Sequence, residues 1–295
     1  MRYLAAILIG GLLFNSTPVS GAEWKGKAST WKGYQRFAFE VDGKACHVTL
    51  PKKPAAGKPW VWRARFPNYH PEADLLLLER GFHIGFINTG GMLGSPRALD
   101  HWDKFYEFMA KERGMAKKVA LEAVSRGGLF AYRWAARHPD RVACIYADVP
   151  VCDFKSWPLK RGNGGDKLWQ HLLKEYGLTH EQALNYRENP IDVLAPLAKA
   201  KIPLLHLITL NDKIVPPEEN TFVLAKRYRK LGGQIDLIEV KEGTEKSSGH
   251  HCTHPDPKRA ADFIAVHVRK AIPKPLSAFH RRIGHSCALC LPPLP

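Results

Sequence analysis

The sequence predicts an α/β fold: one mostly parallel sheet with helices on both faces and an antiparallel hairpin at its N-terminal side. Two observations predict this class. A hairpin pattern comes first, and short apolar runs of strand length then alternate with helical segments. The length fits a single domain, which we place at residues 23–272, because α/β folds around one sheet often reach about 250 residues.

The first half of the chain supplies the hairpin and three strand–helix units. Gln35–Leu50 alternates apolar and polar residues on either side of Asp42-Gly43, a tight-turn dipeptide. The units that follow are strand Trp60–Phe66, helix Ala73–Arg80, strand Phe82–Asn88, helix Ala98–Glu112, strand Val119–Val124 and helix Gly127–His138.

The second half resumes the alternation after an interruption. The predicted elements are strand Val142–Ala147, strand Leu204–Leu210, helix Glu218–Leu231, strand Gln234–Val240 and helix Pro257–Lys270. Residues 153–197 interrupt the alternation of strands and helices, with several glycines, a short predicted helix and Pro190. Because ligands of such sheets bind at the carboxyl ends of the strands, we expect this insertion to lie there as a lid.

The two ends of the chain differ in composition from the middle. Residues 1–22 have a basic start, a short apolar run and a small-residue exit, which predicts a cleaved signal peptide. The apolar run is shorter than the roughly 20 residues that span a membrane. We therefore expect a secreted or periplasmic protein without membrane association after cleavage, followed by a Pro-rich tail at residues 273–295.

The net charge and the cysteines indicate which binding partners and which disulfides to expect. The formal net charge of +16 favours anionic partners, although a solvated basic surface explains it equally well. No aromatic-rich nucleic-acid module accompanies it, so nucleic acid is not an expected partner. Cys144 and Cys152 flank one strand end and could form a local disulfide, whereas Cys287 and Cys290 lie in the Pro-rich tail.

Ser125 stands between a predicted strand and a predicted helix. The stretch Ala123-Val124-Ser125-Arg126-Gly127 places small residues two before and two after the serine, which lets a sharp strand-to-helix turn close and expose a nucleophile. The usual signature has glycine in the first of these positions. An ordinary turn remains the alternative for this motif taken alone.

Two further segments offer partners for this serine. Asp212 directly follows an apolar strand, and His250 lies in a Gly/Ser-rich loop before the last helix. Ser, Asp and His in this order, each at the end of a strand, form the chain order of a catalytic triad. His251 remains open as the base, and Asp148 remains open as the acid.

The stretch His250-His251-Cys252-Thr253-His254 could also bind zinc. Tetrahedral sites usually draw ligands from two separated elements, so we predict no metal and no cofactor.

With these motifs in hand, the chain from about Gln35 to Ile272 resembles exported bacterial α/β-hydrolases of the acyl-esterase and prolyl-oligopeptidase-like group. The resemblance rests on "WRARF", "SRGG", "NDKIVP" and "GHH". "SRGG" is also similar to the elbow of glucuronoyl esterases, in which the arginine beside the serine helps to hold the oxyanion. Leu129 stands where that family has a lysine.

The resemblance implies a serine hydrolase acting on carbohydrate esters, with Ser125, His250 and Asp212 as nucleophile, base and acid. Arg126 and Phe66 would supply oxyanion donors, with Asn68 as an alternative to Phe66, since Pro67 has no N–H. A prolyl-oligopeptidase-like peptidase and a non-catalytic carbohydrate-binding relic remain alternatives.

Three more side chains are candidates for binding substrate. Trp157 and Trp169 of the insertion offer apolar faces to a sugar ring, and His70 follows a strand end. Packing of the two tryptophans on the sheet, and a surface position for His70, are the alternatives.

Overall fold

The computed structural model describes residues 24–160 and 165–273, and a nine-stranded sheet runs through them. Its strands in chain order are β1 (Lys27–Trp31), β2 (Tyr34–Val41), β3 (Lys44–Thr49), β4 (Trp60–Arg63), β5 (His83–Ile87), β6 (Val119–Val124), β7 (Val142–Asp148), β8 (Leu204–Thr209) and β9 (Ile235–Val240). They lie side by side in the order β1-β2-β3-β5-β4-β6-β7-β8-β9. The pairs from β5 through β9 are parallel and the first three pairs are antiparallel, which confirms the predicted sheet.

The predicted signal peptide (residues 1–22), nearly all of the predicted tail, and Cys287 and Cys290 lie outside the described residues.

Helices cover both faces of the sheet, as predicted. They are α1 (Glu72–Glu79), α2 (Pro96–Glu107), α3 (Gly128–Arg137), α4 (Gly165–Tyr176), α5 (His180–Leu184), α6 (Ala195–Lys199), α7 (Thr221–Lys230) and α8 (Pro257–Ala271). Residues of α1 and α8 pack into one core, and residues of α2, α3 and α7 pack into the other. None of the helices within the described residues is long and apolar enough to cross a membrane.

Strand β4 shows how the sheet separates the two cores. Successive side chains of a strand point to opposite faces, so Trp60 and Trp62 enter one core while Val61 enters the other. The Trp62 ring stacks on Trp102 of α2 with centroids 4.3 Å apart. Fully burying aromatic rings of this size stabilises the fold by about 1.5–3 kcal/mol each.

Arg63, the last residue of β4, lies fully buried on the α1 side. Its guanidinium donates to Asp74 Oδ2 at 3.0 Å and to Glu122 Oε1 at 3.0 Å, and both carboxyls are buried. It also donates to the Tyr69 carbonyl at 2.6 Å. Burial raises the pKa of Glu122 well above its ordinary value. The ion cluster therefore fixes the loop 64–71, which follows β4 at the carboxyl end of the sheet.

The insertion (residues 153–197) contains α4, α5 and part of α6, and it packs around Phe154. The Phe154 ring meets Trp169 and Tyr176 edge to face, with centroid distances of 5.9 and 5.4 Å. Its first residues are held by Asn220, whose Oδ1 accepts the Asp153 N–H at 3.3 Å and whose Nδ2 donates to Ser156 Oγ at 3.0 Å. The insertion is thereby tied to the start of α7.

The possible Cys144–Cys152 disulfide is not formed. Both residues are buried free thiols, as are Cys46 and Cys252.

Candidate active site

Ser125 sits on a sharp turn between β6 and α3. Its φ is +49°, a left-handed conformation that non-glycine residues adopt at a cost of about 1 kcal/mol or more. The turn is held from behind by the Val151 N–H, which donates to the Ser125 carbonyl at 2.9 Å. Gly128 follows because a Cβ there would collide with the Val151 carbonyl oxygen. The backbone thus presents the Ser125 hydroxyl at the carboxyl end of the sheet.

Asp212 lies in the loop after β8 and is 5% exposed. Its Oδ1 accepts the N–H groups of Ile214 and Val215, both at 2.8 Å. These two bonds leave Oδ2 aimed at His250. A carboxylate held in this way keeps a fixed orientation without help from solvent.

His250 joins the other two residues. Its Nδ1–H donates to Asp212 Oδ2 at 2.7 Å, and its Nε2 accepts the Ser125 hydroxyl at 2.9 Å. This tautomer follows from the acceptor-only nature of the carboxylate. The structure therefore brings all three predicted triad residues into one hydrogen-bonded chain, although they come from three separate loops.

The histidine loop (residues 241–256) is held against the loop of Asp212. Thr209 Oγ1 donates to the Gly249 carbonyl at 2.5 Å, and the Lys213 N–H donates to the Ser248 carbonyl at 3.0 Å. Gly249 has a φ of +85°, and a Cβ there would collide with the Asn211 carbonyl. Glycine directly before His250 is what allows the two loops to approach so closely.

The two open alternatives have other partners. Asp148 Oδ2 accepts from His70 Nδ1 at 2.5 Å, and His251 Nδ1 lies 3.1 Å from the Tyr69 hydroxyl. Burial and the adjacent His250 lower the pKa of His251. Of the residues left open, His250 and Asp212 are the ones that hydrogen-bond in a chain with Ser125.

A cavity of about 330 Å³ opens beside Ser125. Its lining is mainly apolar and aromatic, and besides the serine and the two histidines it includes Phe66, Tyr69, Arg126, Trp157, Leu168 and Ile214. No acidic side chain is among the described residues that line it. Its size is in the range typical of small-molecule sites.

The two predicted oxyanion residues both line this cavity. Phe66 has a φ of +48°, and its N–H pairs with no acceptor among the described residues. A free N–H beside the nucleophile suits an oxyanion donor, and the Arg126 N–H follows the serine directly. Asn68, the alternative to Phe66, is not among the residues that line the cavity, and its side-chain Oδ1 accepts from Trp31 Nε1 at 3.0 Å.

Two of the three predicted substrate-binding residues are placed elsewhere. Trp157 lines the cavity. Trp169 does not: it is 3% exposed, packs on Phe154, and its Nε1–H donates to His180 Nδ1 at 3.0 Å. The prediction that Trp169 stacks on a sugar was wrong, because the ring is buried inside the insertion and its N–H is already paired.

The prediction that His70 binds substrate is also corrected. Its Nδ1 binds Asp148, and its Nε2 lies 2.7 Å from the Cys252 carbonyl, two residues beyond His250. Although burial disfavours a charged imidazole, the Asp148 carboxylate raises the pKa of His70 above its ordinary value. A protonated His70 donates from both nitrogens, so it braces the histidine loop rather than binding substrate.

The residues considered for zinc point to separate partners. His250 binds Asp212 and Ser125, whereas His254 Nε2 lies 2.8 Å from the Tyr146 hydroxyl. Across the described ranges, no group of three or more His, Cys, Asp and Glu side chains is arranged to hold a metal ion.

Sequence reasoning missed Tyr69, Leu168 and Ile214 of the lining, as well as Arg65 behind Phe66. Ile214 could have been found, since it lies two residues from Asp212. Arg65 lies within "WRARF", where strand alternation would place it on the same face as Arg63, but the strand ends at Arg63 and Arg65 belongs to the loop that follows.

Comparison with known proteins agrees with this architecture. No protein-family model matches the chain. A segment of 132 residues, 42% of the chain, is 30% identical to acylamino-acid-releasing enzyme 2 of Oryza sativa subsp. japonica, and it covers 16% of that protein. The chain thus spans much less than two thirds of this relative.

Solved structures align over more of the chain. Pyrococcus horikoshii acylaminoacyl peptidase superposes with a TM-score of 0.58 at 15% identity, covering 81% of this chain and 44% of the peptidase. The carboxylesterase Cest-2923 from Lactobacillus plantarum superposes with a TM-score of 0.57 at 12% identity, covering 82% of this chain and 99% of the esterase. Together with the strand order, these likenesses show that the chain has the α/β-hydrolase fold.

Proposed function

We propose that the protein is a serine hydrolase of carboxylic esters. The observation that carries this is the hydrogen-bonded chain Ser125–His250–Asp212 beside an open, largely apolar cavity. Triads of this geometry recur on unrelated folds and are recognised by their geometry and roles.

In the proposed reaction, Ser125 Oγ attacks the ester carbonyl while His250 Nε2 takes its proton. The tetrahedral oxyanion forms beside the N–H groups of Arg126 and Phe66, and loss of one such donor typically costs about 10²–10³ in kcat. His250 then protonates the departing alcohol oxygen. Water attacks the acyl-enzyme with His250 as the base again, which releases the acid and restores Ser125.

The finer proposal is a carbohydrate ester. Trp157 lines the cavity, and a tryptophan ring offers a broad apolar surface that suits packing against a sugar ring. The predicted signal peptide supports action outside the cytoplasm, where polysaccharide esters occur; this localisation remains part of the proposal.

A peptidase is the second candidate, since acylaminoacyl peptidases share the fold and one of them shares local sequence. The lining argues against an aminopeptidase among such enzymes. A free substrate ammonium needs a buried anionic partner, and the described lining residues include no carboxylate.

The test is a panel of substrates: 4-nitrophenyl acetate, acetylated xylo-oligosaccharides, N-acetyl-alanine anilide and a blocked proline anilide. We expect ester turnover, with Ser125→Ala lowering kcat by about 10⁴-fold or more. Ser29→Ala on the exposed strand β1 is the matched control and should behave as wild type.

Either of two results would contradict the proposal. Anilide cleavage faster than ester cleavage would make the protein a peptidase. A Ser125→Ala variant that keeps more than about a tenth of wild-type turnover would require another nucleophile.

A further inference from the structure

Two guanidinium groups lie over the ring of Phe66, a residue that lines the cavity. The Arg65 Cζ lies 4.7 Å from the ring centroid and the Arg126 Cζ lies 5.3 Å from it. Arg126 also lies 5.9 Å from the Trp157 ring and lines the cavity. Both arginines are half-buried, and Arg126 lines the same cavity as the proposed nucleophile.

Neither cation has an acidic partner among the described residues. The causes that shift their pKa values include no carboxylate, only burial and, for Arg65, the charge of Arg126. Arg65 Nε is buried and without a hydrogen-bond partner in the described parts of the chain. Arg63, two positions earlier, shows the contrast, since it lies between two carboxyls.

The Arg65 head group packs against the loop after β5. Its guanidinium lies directly against Gly90, and a Cβ at that position would displace Nη1. The glycine therefore allows this position of the cation.

Holding two like charges together without an anion is unfavourable. Burial, together with the neighbouring Arg126, lowers the pKa of Arg65 to about 10, so both side chains remain charged at neutral pH. A bound anion would relieve this repulsion. Planar guanidinium groups match a carboxylate with paired, charge-assisted hydrogen bonds.

We infer that Arg65 and Arg126 form a subsite for a carboxylate on the substrate, so that the enzyme prefers esters carrying an acidic group near the scissile bond. This inference rests on the proposed ester hydrolysis at Ser125. A uronic acid residue within a polysaccharide or a dicarboxylic acyl group carries such a carboxylate. The net charge of +16 would add a long-range attraction for the same substrates.

The test compares two substrates of the same shape. One is the 4-nitrophenyl monoester of glutaric acid, which carries a carboxylate, and the other has a neutral carboxamide in its place. We expect wild type to prefer the acid by about tenfold or more in kcat/KM, since a hydrogen bond to a charged group contributes about 1.5–3 kcal/mol.

Arg65→Gln should lower this preference about tenfold, mainly by raising KM for the acid. The preference of the Arg65→Lys variant should lie between those of wild type and Arg65→Gln, because lysine keeps the charge but loses the planar fork. Lys230→Gln is the matched control: it removes one exposed charge at the end of α7 and should keep the wild-type preference.

Three outcomes would overturn the subsite: an unchanged preference in Arg65→Gln, an equal loss on both substrates in a folded variant, or a wild-type preference for the carboxamide. If wild type hydrolyses neither substrate, the proposed function fails instead. The subsite is then tested alone, by calorimetric titration of glutarate into the Ser125→Ala protein with and without Arg65→Gln. Binding weakened by Arg65→Gln supports a carboxylate site, whereas sulfate binding as tightly as glutarate would overturn the preference for carboxylate.

Discussion

His250 and His251 are adjacent in the chain, but the backbone turns their rings to different partners. His250 Nε2 lies 2.9 Å from Ser125 Oγ, whereas His251 Nδ1 lies 3.1 Å from the Tyr69 hydroxyl. At the scale of single residues, the proposed mechanism therefore depends on one imidazole. The other contributes to the wall of the cavity.

We predict that His250→Ala lowers kcat for 4-nitrophenyl acetate as much as Ser125→Ala does, because members of one catalytic unit fail together. His251→Ala should cost about tenfold or less, since it removes a wall contact and leaves the proton path intact. Steady-state kinetics of the three variants would show this. A more damaged His251 variant would make His251 the base.

At the scale of elements, the loop after β4 and the histidine loop meet through His70. Its ring connects Asp148 at the end of β7 with the Cys252 carbonyl. Because Asp148 raises the pKa of His70 above the ordinary value of about 6.5, the stabilisation by this bridge is complete below that pH. It is lost as the pH rises through the raised pKa.

We predict that Asp148→Asn lowers the pKa of His70 and moves any alkaline decline of kcat to lower pH, with little change in KM. The reason is that His70 braces the loop of His250 and lies outside the substrate cavity. NMR titration of the His70 imidazole and a pH–rate profile measure the two effects. An unchanged profile with a lowered His70 pKa would remove the bridge from any role in activity.

The strands and helices of this protein were predictable because their patterns of apolar and polar residues are strong. The apolar runs at β4, β6, β7 and β8 are buried on both faces, and each was predicted within a few residues of its observed bounds. Strand β1 was missed because its residues KASTW are almost wholly exposed at the sheet edge and lack apolar alternation.

Within the site, predictability depended on position along the chain. Ser125, Asp212 and His250 each follow a strand, so the shared edge of a parallel sheet brought them together. Trp169 and His70 were predicted to belong to the same site, and no local pattern distinguishes a ring buried among other side chains from one facing substrate. Tertiary packing determined the positions of both rings.

At the scale of the whole molecule, buried histidines set the response to acid. Burial lowers the pKa of His83 to about 4 and that of His206 to about 3. Both stay neutral in the folded protein while they are protonated in the unfolded chain below about pH 6.5. The unfolded chain therefore binds more protons in this window, and stability falls as the pH falls.

We predict that the free energy of unfolding drops between pH 6.5 and about 4, with each of these histidines contributing up to about 1.4 kcal/mol per pH unit. Urea unfolding at pH 7, 5.5 and 4.5 measures the slope. His83→Gln should make the slope shallower, because it removes one of the histidine titrations that contribute to it. A slope of the same size in that variant would assign the acid sensitivity to other groups.

The left-handed backbone conformation of Ser125 supports activity at a cost in stability. The turn that exposes the hydroxyl carries a conformational cost that glycine would not pay, so a glycine there should leave the protein more stable than alanine at the same position, although neither has a nucleophile. Selection for heat resistance alone would thus favour loss of the reactive residue. A lineage screened only for survival at high temperature would drift toward an inert scaffold unless turnover is selected at the same time.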